Sequence, residues 1–266
     1  MSGPLDGKVC VVTGALGLLG REMCRALAGA GGALVVTDVD ERACQDRAAA
    51  LPGAIGVGAD IADPGAVARL RDAVLARHRR IDVLINNAAI DDRFAPGDEA
   101  AARDSMFEHY SLERWRRSLE VNVTGTFLCC QILGTPMAER GTGAIVNIAS
   151  TYGVVAPDQA LYRRPDGTQP FYKGPAYPTG KAAVLGLTRY LAAYWGRSGV
   201  RVNALSPGGV AGGQDPEFVR KFNERVPLGH MCAPEDLEGP LLFLASRASS
   251  YVTGIDLRVD GGFTSW

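Results

Sequence analysis

The sequence predicts a doubly wound α/β fold, a parallel seven-stranded sheet with helices on both faces. Three observations carry this prediction. Short β-branched runs alternate with Ala/Leu/Arg stretches of helical period along the whole chain. Several of those runs are apolar on consecutive positions, as strands covered on both faces must be. The first run ends in a glycine-rich turn that opens straight into a helix.

The elements follow in order. A strand at 8–13 leads through that turn to a helix near 18–30, and a strand at 33–38 leads to a helix at 40–50. The third strand, 54–59, precedes a helix at 64–79 whose start carries Asp63-Pro64, with proline in the first turn. The fourth, 81–86, runs into a polar, irregular stretch at 91–110 and then a long helix at 111–139. The fifth, 143–150, is followed by a Pro/Gly/Arg/Asp-rich excursion at 156–175 and a helix at 176–197. A strand at 200–206, a helix at 234–247 opened by Ala233-Pro234-Glu235, and a strand at 255–259 complete the alternation. Strand–helix alternation of this kind closes through right-handed crossovers. Both irregular stretches leave the sheet at the carboxyl ends of their strands, where open α/β folds bind ligands. No repeat or linker divides the chain, so 1–266 reads as a single domain with an inserted loop at about 156–175.

Composition narrows the function classes. The chain has 266 residues, 47% hydrophobic and 21% charged, with a formal net charge of −1. That length buries a core without a disulfide or metal staple. Its 24 Arg and 4 Lys are scattered, so no basic face offers itself to nucleic acid. No apolar run reaches the roughly 18 residues of a membrane span. Residues 1–8 lack the layout of a secretory signal. Cys10, Cys24, Cys44, Cys129, Cys130 and Cys232 form no CxxC pair, and His78, His109 and His230 lie far apart. The expectation is a soluble cytoplasmic protein with reduced thiols, no metal site and no membrane or nucleic-acid partner.

Val11-Val12-Thr13-Gly14-Ala15-Leu16-Gly17-Leu18-Leu19-Gly20-Arg21 ends the first strand and opens the first helix. Glycines at 14, 17 and 20 permit a tight turn and close backbone approach, which presents free N–H groups at a helix N-terminus to a pyrophosphate. Strict GxGxxG spacing is absent; the position between strand and helix carries the reading. Asp38 ends the second strand, where a carboxylate accepts hydrogen bonds from an adenosine 2′-hydroxyl and repels a 2′-phosphate. No basic residue stands at 37 or 39, so NAD is expected over NADP. The alternative for Asp38 is a helix N-cap.

Tyr177-Pro178-Thr179-Gly180-Lys181 opens an amphipathic helix, placing Tyr177 and Lys181 on one face at i and i+4. A lysine ammonium beside a phenol favours the phenolate, which then exchanges a proton with an alcohol or carbonyl. Alone, the pair is also what an ordinary surface helix start looks like.

With these residues the chain resembles the short-chain dehydrogenase/reductase family over nearly its whole length. Thr13–Gly20 is similar to the family's TGxxxGxG turn, with the middle glycine displaced to 17 and Leu18 in its usual place. Asp60-Ile61 resembles the pair flanking the adenine, and Asn86-Asn87-Ala88-Ala89 resembles NNAG with Ala89 in the final glycine's place. Asn122 in Val121-Asn122-Val123-Thr124-Gly125 matches the catalytic asparagine. Ser150 closes Ile145-Val146-Asn147-Ile148-Ala149-Ser150 where the family keeps its catalytic serine, and Tyr177 and Lys181 complete the tetrad. Asn203-Ala204-Leu205-Ser206-Pro207-Gly208 is similar to the segment lining the nicotinamide, and Val259-Asp260-Gly261-Gly262 to the family's C-terminal turn.

The resemblance implies a Rossmann-type sheet in the order 3-2-1-4-5-6-7 and a homotetramer paired through the long helices, with Phe263–Trp266 as a further contact. It implies NAD(P)-dependent alcohol–ketone chemistry in which Tyr177 moves the proton, Lys181 lowers its pKa and holds the nicotinamide ribose, Ser150 polarises the reacting oxygen and Asn122 holds a relay water. The implied cofactor residues are Gly14, Gly17, Leu18, Leu19, Gly20, Asp38, Val39, Asp60, Ile61, Asn87, Ala88, Ala89, Tyr177, Lys181, Pro207, Gly208 and Val210. An asparagine at 122, inside a predicted helix, demands a local backbone irregularity or a bound water.

The chain departs from the family's pattern twice. The serine-to-tyrosine gap is longer than usual by the 156–175 insert, and Gly212 stands where a threonine is customary, in a loop expected to be flexible. Asp91, Asp92, Arg93, Thr151, Tyr152, Asp158, Gln159, Arg163, Arg164 and Gln214 lie on pocket-side loops. Of these, Asp91, Tyr152, Asp158, Gln159, Arg163 and Gln214, with Ser150, are the candidate substrate residues. Hydroxyls and charges there suit a sugar, cyclitol or activated sugar better than an acyl chain. The insert and the C-terminus look similar to a subgroup found with surface-sugar biosynthesis. A 3-oxoacyl reductase and a non-catalytic dinucleotide sensor or scaffold are the alternatives.

Overall fold

The computed structural model describes residues 3–92 and 99–266. Seven strands form one parallel sheet: β1 (Val9–Thr13), β2 (Ala33–Asp38), β3 (Ile55–Gly58), β4 (Val83–Asn86), β5 (Gly143–Ile148), β6 (Val200–Pro207) and β7 (Asp256–Val259). Their order is β3-β2-β1-β4-β5-β6-β7, as the resemblance implies. The register runs without a slip, for example Val9↔Ala33 through Thr13↔Thr37. Neighbouring residues on a strand point to opposite faces, and the consecutive apolar runs supply both. Val11, Leu84 and Ile145 pack on one side with α3 (Pro64–His78) and α6 (Thr126–Arg140). Val12, Ile85 and Val146 pack on the other with α1 (Leu18–Gly29), α2 (Glu41–Ala49) and α9 (Glu238–Ala245). Each fully buried Leu or Ile there contributes about 1.5–3 kcal/mol of burial.

Local signals set most helix starts. Asp63 caps α3 by accepting the Gly65 amide at 2.8 Å, with Pro64 in the first turn. Asp40, not Asp38, caps α2, accepting the Ala43 amide at 3.0 Å. The capping alternative for Asp38 therefore falls away.

The long helix expected at 111–139 is broken into α5 (Leu112–Leu119), a π-helical turn (Glu120–Gly125) and α6. Asn122 lies inside that turn, so the irregularity its presence demanded is a π-bulge, a wider turn common at functional sites. Two helices escaped the sequence reading: α4 (Glu99–Ser105) and α8 (Pro216–Asn223). α7 runs from Ala176 to Trp195. The helix expected from 234 begins as a 3-10 turn, Pro234–Leu237, before α9.

At the foot of the sheet Asp82 is buried. Its carboxylate accepts the Val9 amide at 3.0 Å and pairs with Arg80 at 2.5 Å, Arg140 at 3.0 Å and Lys8 at 3.9 Å. Among the described residues, no helix is long and apolar enough to cross a membrane. All six cysteines are free and five are buried.

The 156–175 insert is not a solvated loop. It folds through a 3-10 turn, Gln159–Tyr162, and buries Leu161 against Phe222 and Val226. Tyr162 stacks on Phe218 at 5.3 Å between centroids, Phe218 on Phe222 at 5.8 Å, and Phe222 on Phe263 at 5.1 Å. This row ties the insert to α8 and to the C-terminal turn.

Candidate active site

Because all strands run parallel, their C-terminal ends share one edge, and the site residues gather there. The turn after β1 is shaped by close approach. Gly14 has φ +62°, and a Cβ on it would lie 2.6 Å from Ala88 Cα. Asn87 Nδ2 donates to the Gly14 carbonyl at 2.9 Å and the Thr13 carbonyl at 3.1 Å. The Asn87 and Ala88 amides both donate to Thr13 Oγ1 at 3.1 Å. Thus the asparagine after β4 fixes the turn after β1.

Gly17 caps α1 with no side chain, and the first turn holds no acidic residue. The amides of Leu18, Leu19 and Gly20 consequently have no partner within the helix. That donor set suits the phosphates of a dinucleotide. Asp38 accepts the Leu16 amide at 3.1 Å and the Val39 amide at 2.8 Å, which holds a carboxylate at the mouth of the turn. Val39 is exposed, Asp60 Oδ1 accepts the Ala62 amide at 2.9 Å, and Ile61 is buried beside Gly125 of the π-turn. Ala89 is exposed beyond the Asn87–Ala88 pair.

Across the cleft, Gly208 donates to the Val259 carbonyl at 2.9 Å, and Val210 bridges to Cys232. The expected flexibility of the following loop is not what the structure shows. Gln214 bridges it, Oε1 accepting the Gly212 amide at 2.8 Å and Nε2 donating to the Val210 carbonyl at 2.6 Å. A Cβ on Gly212 would lie 2.8 Å from Leu18 Cδ2, so this loop closes against the start of α1.

The four tetrad positions come from three elements. Ser150 follows β5, and its Oγ accepts the Tyr152 amide at 3.2 Å. Tyr177 occupies the first turn of α7, where Ser150 is near enough to its phenol to favour the phenolate. Lys181 Nζ lies 5.6 Å from the centre of the Tyr177 ring and donates to the Ile148 carbonyl at 2.7 Å. Asn122 clamps Ile90: its Oδ1 accepts the Ile90 amide and its Nδ2 donates to the Ile90 carbonyl, both at 2.8 Å.

Electrostatics correct one expectation. Burial first, then the Asp91 charge, push the Tyr177 phenol up to about 12, and only the Ser150 hydrogen bond draws it back. Burial pulls Lys181 down to about 8, against the Asp91 charge that raises it. Desolvation of the buried phenol therefore decides the direction of its shift.

The candidate substrate residues divide. Asp91 pairs with Lys173, and Tyr152 reaches the Tyr162 hydroxyl at 3.4 Å; both act electrostatically on Tyr177. The others are committed elsewhere. Asp158 caps the 3-10 turn through the Ala160 amide at 2.8 Å and pairs with Arg225. Gln159 grips Lys173, its Oε1 accepting the Lys173 amide at 2.8 Å and its Nε2 donating to the Lys173 carbonyl at 3.1 Å. The Arg163 side chain is exposed while its carbonyl accepts from Lys221, and Gln214 holds its own loop. Asp92 accepts the Tyr110 hydroxyl. Arg93 lies outside the described residues.

Sequence reasoning missed Lys173, whose Nζ stands 5.0 Å over the Tyr177 ring. The available signal was scarcity: with only 4 lysines in the chain, one inside the insert was worth marking. It also missed a buried chain beneath the site. Asn86 Nδ2 donates to Asn147 Oδ1 at 2.8 Å, and Asn147 Nδ2 donates to Thr188 Oγ1 at 2.9 Å, pinning β4, β5 and α7 together.

A family model described as enoyl-(acyl carrier protein) reductase matches residues 14–264. The chain is 36% identical to a D-threitol dehydrogenase of Mycolicibacterium smegmatis, over 98% of this chain and 94% of the relative. It is 38% identical to a galactitol 2-dehydrogenase (L-tagatose-forming) of Cereibacter sphaeroides, over 98% and 97%. Among solved structures, a gluconate 5-dehydrogenase from Burkholderia cenocepacia, in complex with NADP and tartrate, superposes with a TM-score of 0.85 at 31% identity. That match covers 98% of this chain and 97% of the other.

Proposed function

The chain belongs to the short-chain dehydrogenase/reductase family, as an oxidoreductase of CH–OH groups, and from that premise we propose that it interconverts a secondary alcohol and a ketone on a polyhydroxylated substrate, with NAD as cofactor. The observation that carries the reading is the surroundings of Tyr177: Ser150 on its hydroxyl, Lys181 and Lys173 over its ring, Asp91 and Tyr152 beside it. Charges and hydroxyls line the approach to the phenol, which favours a substrate carrying several hydroxyls over an acyl chain. The threitol and galactitol dehydrogenases among the relatives support that class. Asp38, placed to accept a ribose hydroxyl and with no base beside it, supports NAD; the NADP in the Burkholderia structure makes this the point to test.

The free amides at the α1 N-terminus would hold a nicotinamide dinucleotide, which would supply the hydride acceptor for oxidation. Tyr177, as phenolate, takes the hydroxyl proton at Oη while the C–H pair leaves as hydride and the carbonyl forms. Ser150 Oγ donates to the reacting oxygen, where negative charge develops. The Lys181 ammonium, fixed by the Ile148 carbonyl, would offset the phenolate charge and would hold the ribose hydroxyls of a bound dinucleotide. Asn122, clamped to Ile90 in the π-turn, is the residue proposed to hold water between Lys181 and solvent. The whole chain works as one catalytic unit in this reading. Leu112, Phe127, Tyr190 and Tyr194 are exposed on α5, α6 and α7, which supports a homotetramer paired through those helices.

The test is cofactor reduction followed by absorbance, with NAD and NADP side by side, across polyols, sugars and nucleotide-activated sugars, with Tyr177→Phe as blank. Turnover with NAD on one polyol or sugar class, absent in the blank, is expected. Silence on that panel with reduction of 3-oxoacyl thioesters or hydrophobic ketones overturns the substrate reading. Equal use of NADP overturns the role of Asp38, and cofactor binding without turnover of anything makes the protein a sensor.

A further inference from the structure

Two ammonium groups flank the Tyr177 ring, and only one of them belongs to the tetrad. Lys181 stands 5.6 Å from the ring centre and Lys173 stands 5.0 Å from it. Lys173 lies in the insert, two residues before Pro175, and its ammonium pairs with Asp91 from the loop after β4. The lysine end of the pair is covered, while the Asp91 side chain stays 38% exposed. The Lys173 side chain is 14% exposed, and its backbone is gripped on both sides by the Gln159 amide. A second tie runs alongside, from the Tyr172 amide to Ser105 Oγ at 2.8 Å. The insert thus delivers one cation to one place.

Asp91 explains why a cation is needed there. Among the described residues its carboxylate is the charged group that opposes ionisation of Tyr177, and it supports the ammonium of Lys181. The remaining neighbours of the phenol are the hydroxyls of Ser150, Tyr152 and Tyr162, of which Ser150 favours the phenolate by hydrogen bonding. Charge within about 4–6 Å moves a pKa by about one unit or more. An unpaired Asp91 would accordingly set itself against the proton transfer that Tyr177 performs.

We propose that Lys173 is a positioning residue of this site: by holding Asp91 in an ion pair over the Tyr177 ring, it cancels at the phenol the charge of that carboxylate, so that the insert sets the pH at which the alcohol is oxidised. The inference rests on Tyr177 as the proton acceptor, and not on the identity of the substrate.

The experiment compares the pH dependence of kcat/KM for oxidation in the parent, Lys173→Met, Asp91→Asn and the double variant, on any secondary alcohol the protein turns over. An empty polyol panel sinks the substrate reading and leaves this test intact. Lys173→Met is expected to move the acid limb up by about one pH unit, and Asp91→Asn to move it down by about one. The double variant is expected to return to the parent's limb, because it removes both charges. The same shifts are read without substrate from phenolate absorbance in NAD-loaded protein, each variant minus its Tyr177→Phe counterpart. NAD affinity should change less than about twofold, since neither residue lies at the glycine turn. Loss of kcat or of thermal stability with unmoved limbs makes Lys173 a strut of the insert and overturns the proposal. So does a downward shift in Lys173→Met, or equal shifts of one sign in both single variants.

Discussion

Replacing Gly20 by alanine places a Cβ on the Gly14 carbonyl oxygen and 2.7 Å from Ala15 Cα. Carbon atoms pack no closer than about 3.5 Å without repulsion, so the turn or the start of α1 must move by most of an ångström. Neither yields easily. The Gly14 carbonyl is held by Asn87 Nδ2, and Gly14 itself is pressed against Ala88 with φ +62°. Overpacking of this kind costs about 1–3 kcal/mol, a fall in Tm of roughly 3–10 °C for a chain of this size. The displaced amides should also weaken NAD binding. Gly17→Ala is the matching control: its Cβ meets nothing closer than 3.5 Å, and φ −71° and ψ 171° suit alanine. Its methyl adds bulk beside the neighbouring Leu18 amide, one of those with no partner within the helix. Loss of one charge-assisted hydrogen bond there is worth about 1.5–3 kcal/mol, or roughly 10–100-fold in Kd. Thermal melts and a fluorescence titration with NAD read both variants. Gly20→Ala melting with the parent, or Gly17→Ala binding NAD as tightly as the parent, refutes the phosphate cradle derived from this turn.

Lys181→Met is expected to abolish turnover and yet to stabilise the protein at pH 7 in the absence of cofactor. Burial lowers the ammonium from 10.5 to about 8, a penalty of about 3 kcal/mol, set against about 1 kcal/mol for the lost bond to the Ile148 carbonyl. The unfolded chain binds the extra proton between those two values, so the penalty fades as pH rises from 8 towards 10.5. The Tm gain should shrink over that window, and a constant gain would contradict it. Phe222→Ala, at 4% exposure in the aromatic row, should cost about 3–5 kcal/mol. Limited proteolysis should then cut within 163–168, and an unchanged digestion pattern would show that the row does not hold the insert.

The sheet was legible because its strands announce themselves in β-branched runs and its helices in capped starts. Asp63-Pro64 named a helix start that the Gly65 amide confirms. Asn122 told of a backbone irregularity, since an asparagine inside a long apolar helix has to be used. What the sequence withheld depended on distant partners. Gln159 and Asp158 looked like substrate groups because they are polar and sit on a pocket-side loop; Lys173 and Arg225 claim them. Helix α8 is short and strongly amphipathic, and its apolar face matters only because the insert lies against it. The sign of the effect at Tyr177 was missed for a related reason: spacing shows a lysine nearby, while desolvation depends on everything that covers the ring.

The aromatic row carries a consequence for the birth of the molecule. Tyr162, Phe218, Phe222 and Phe263 stack in sequence order, and the last of them is translated long after the tetrad. The first strands and the glycine turn are synthesised well before that row is complete. The insert has nothing to lean on until α8 and then Phe263 have been made. The wall over Tyr177 is therefore completed only once the C-terminal turn has been made.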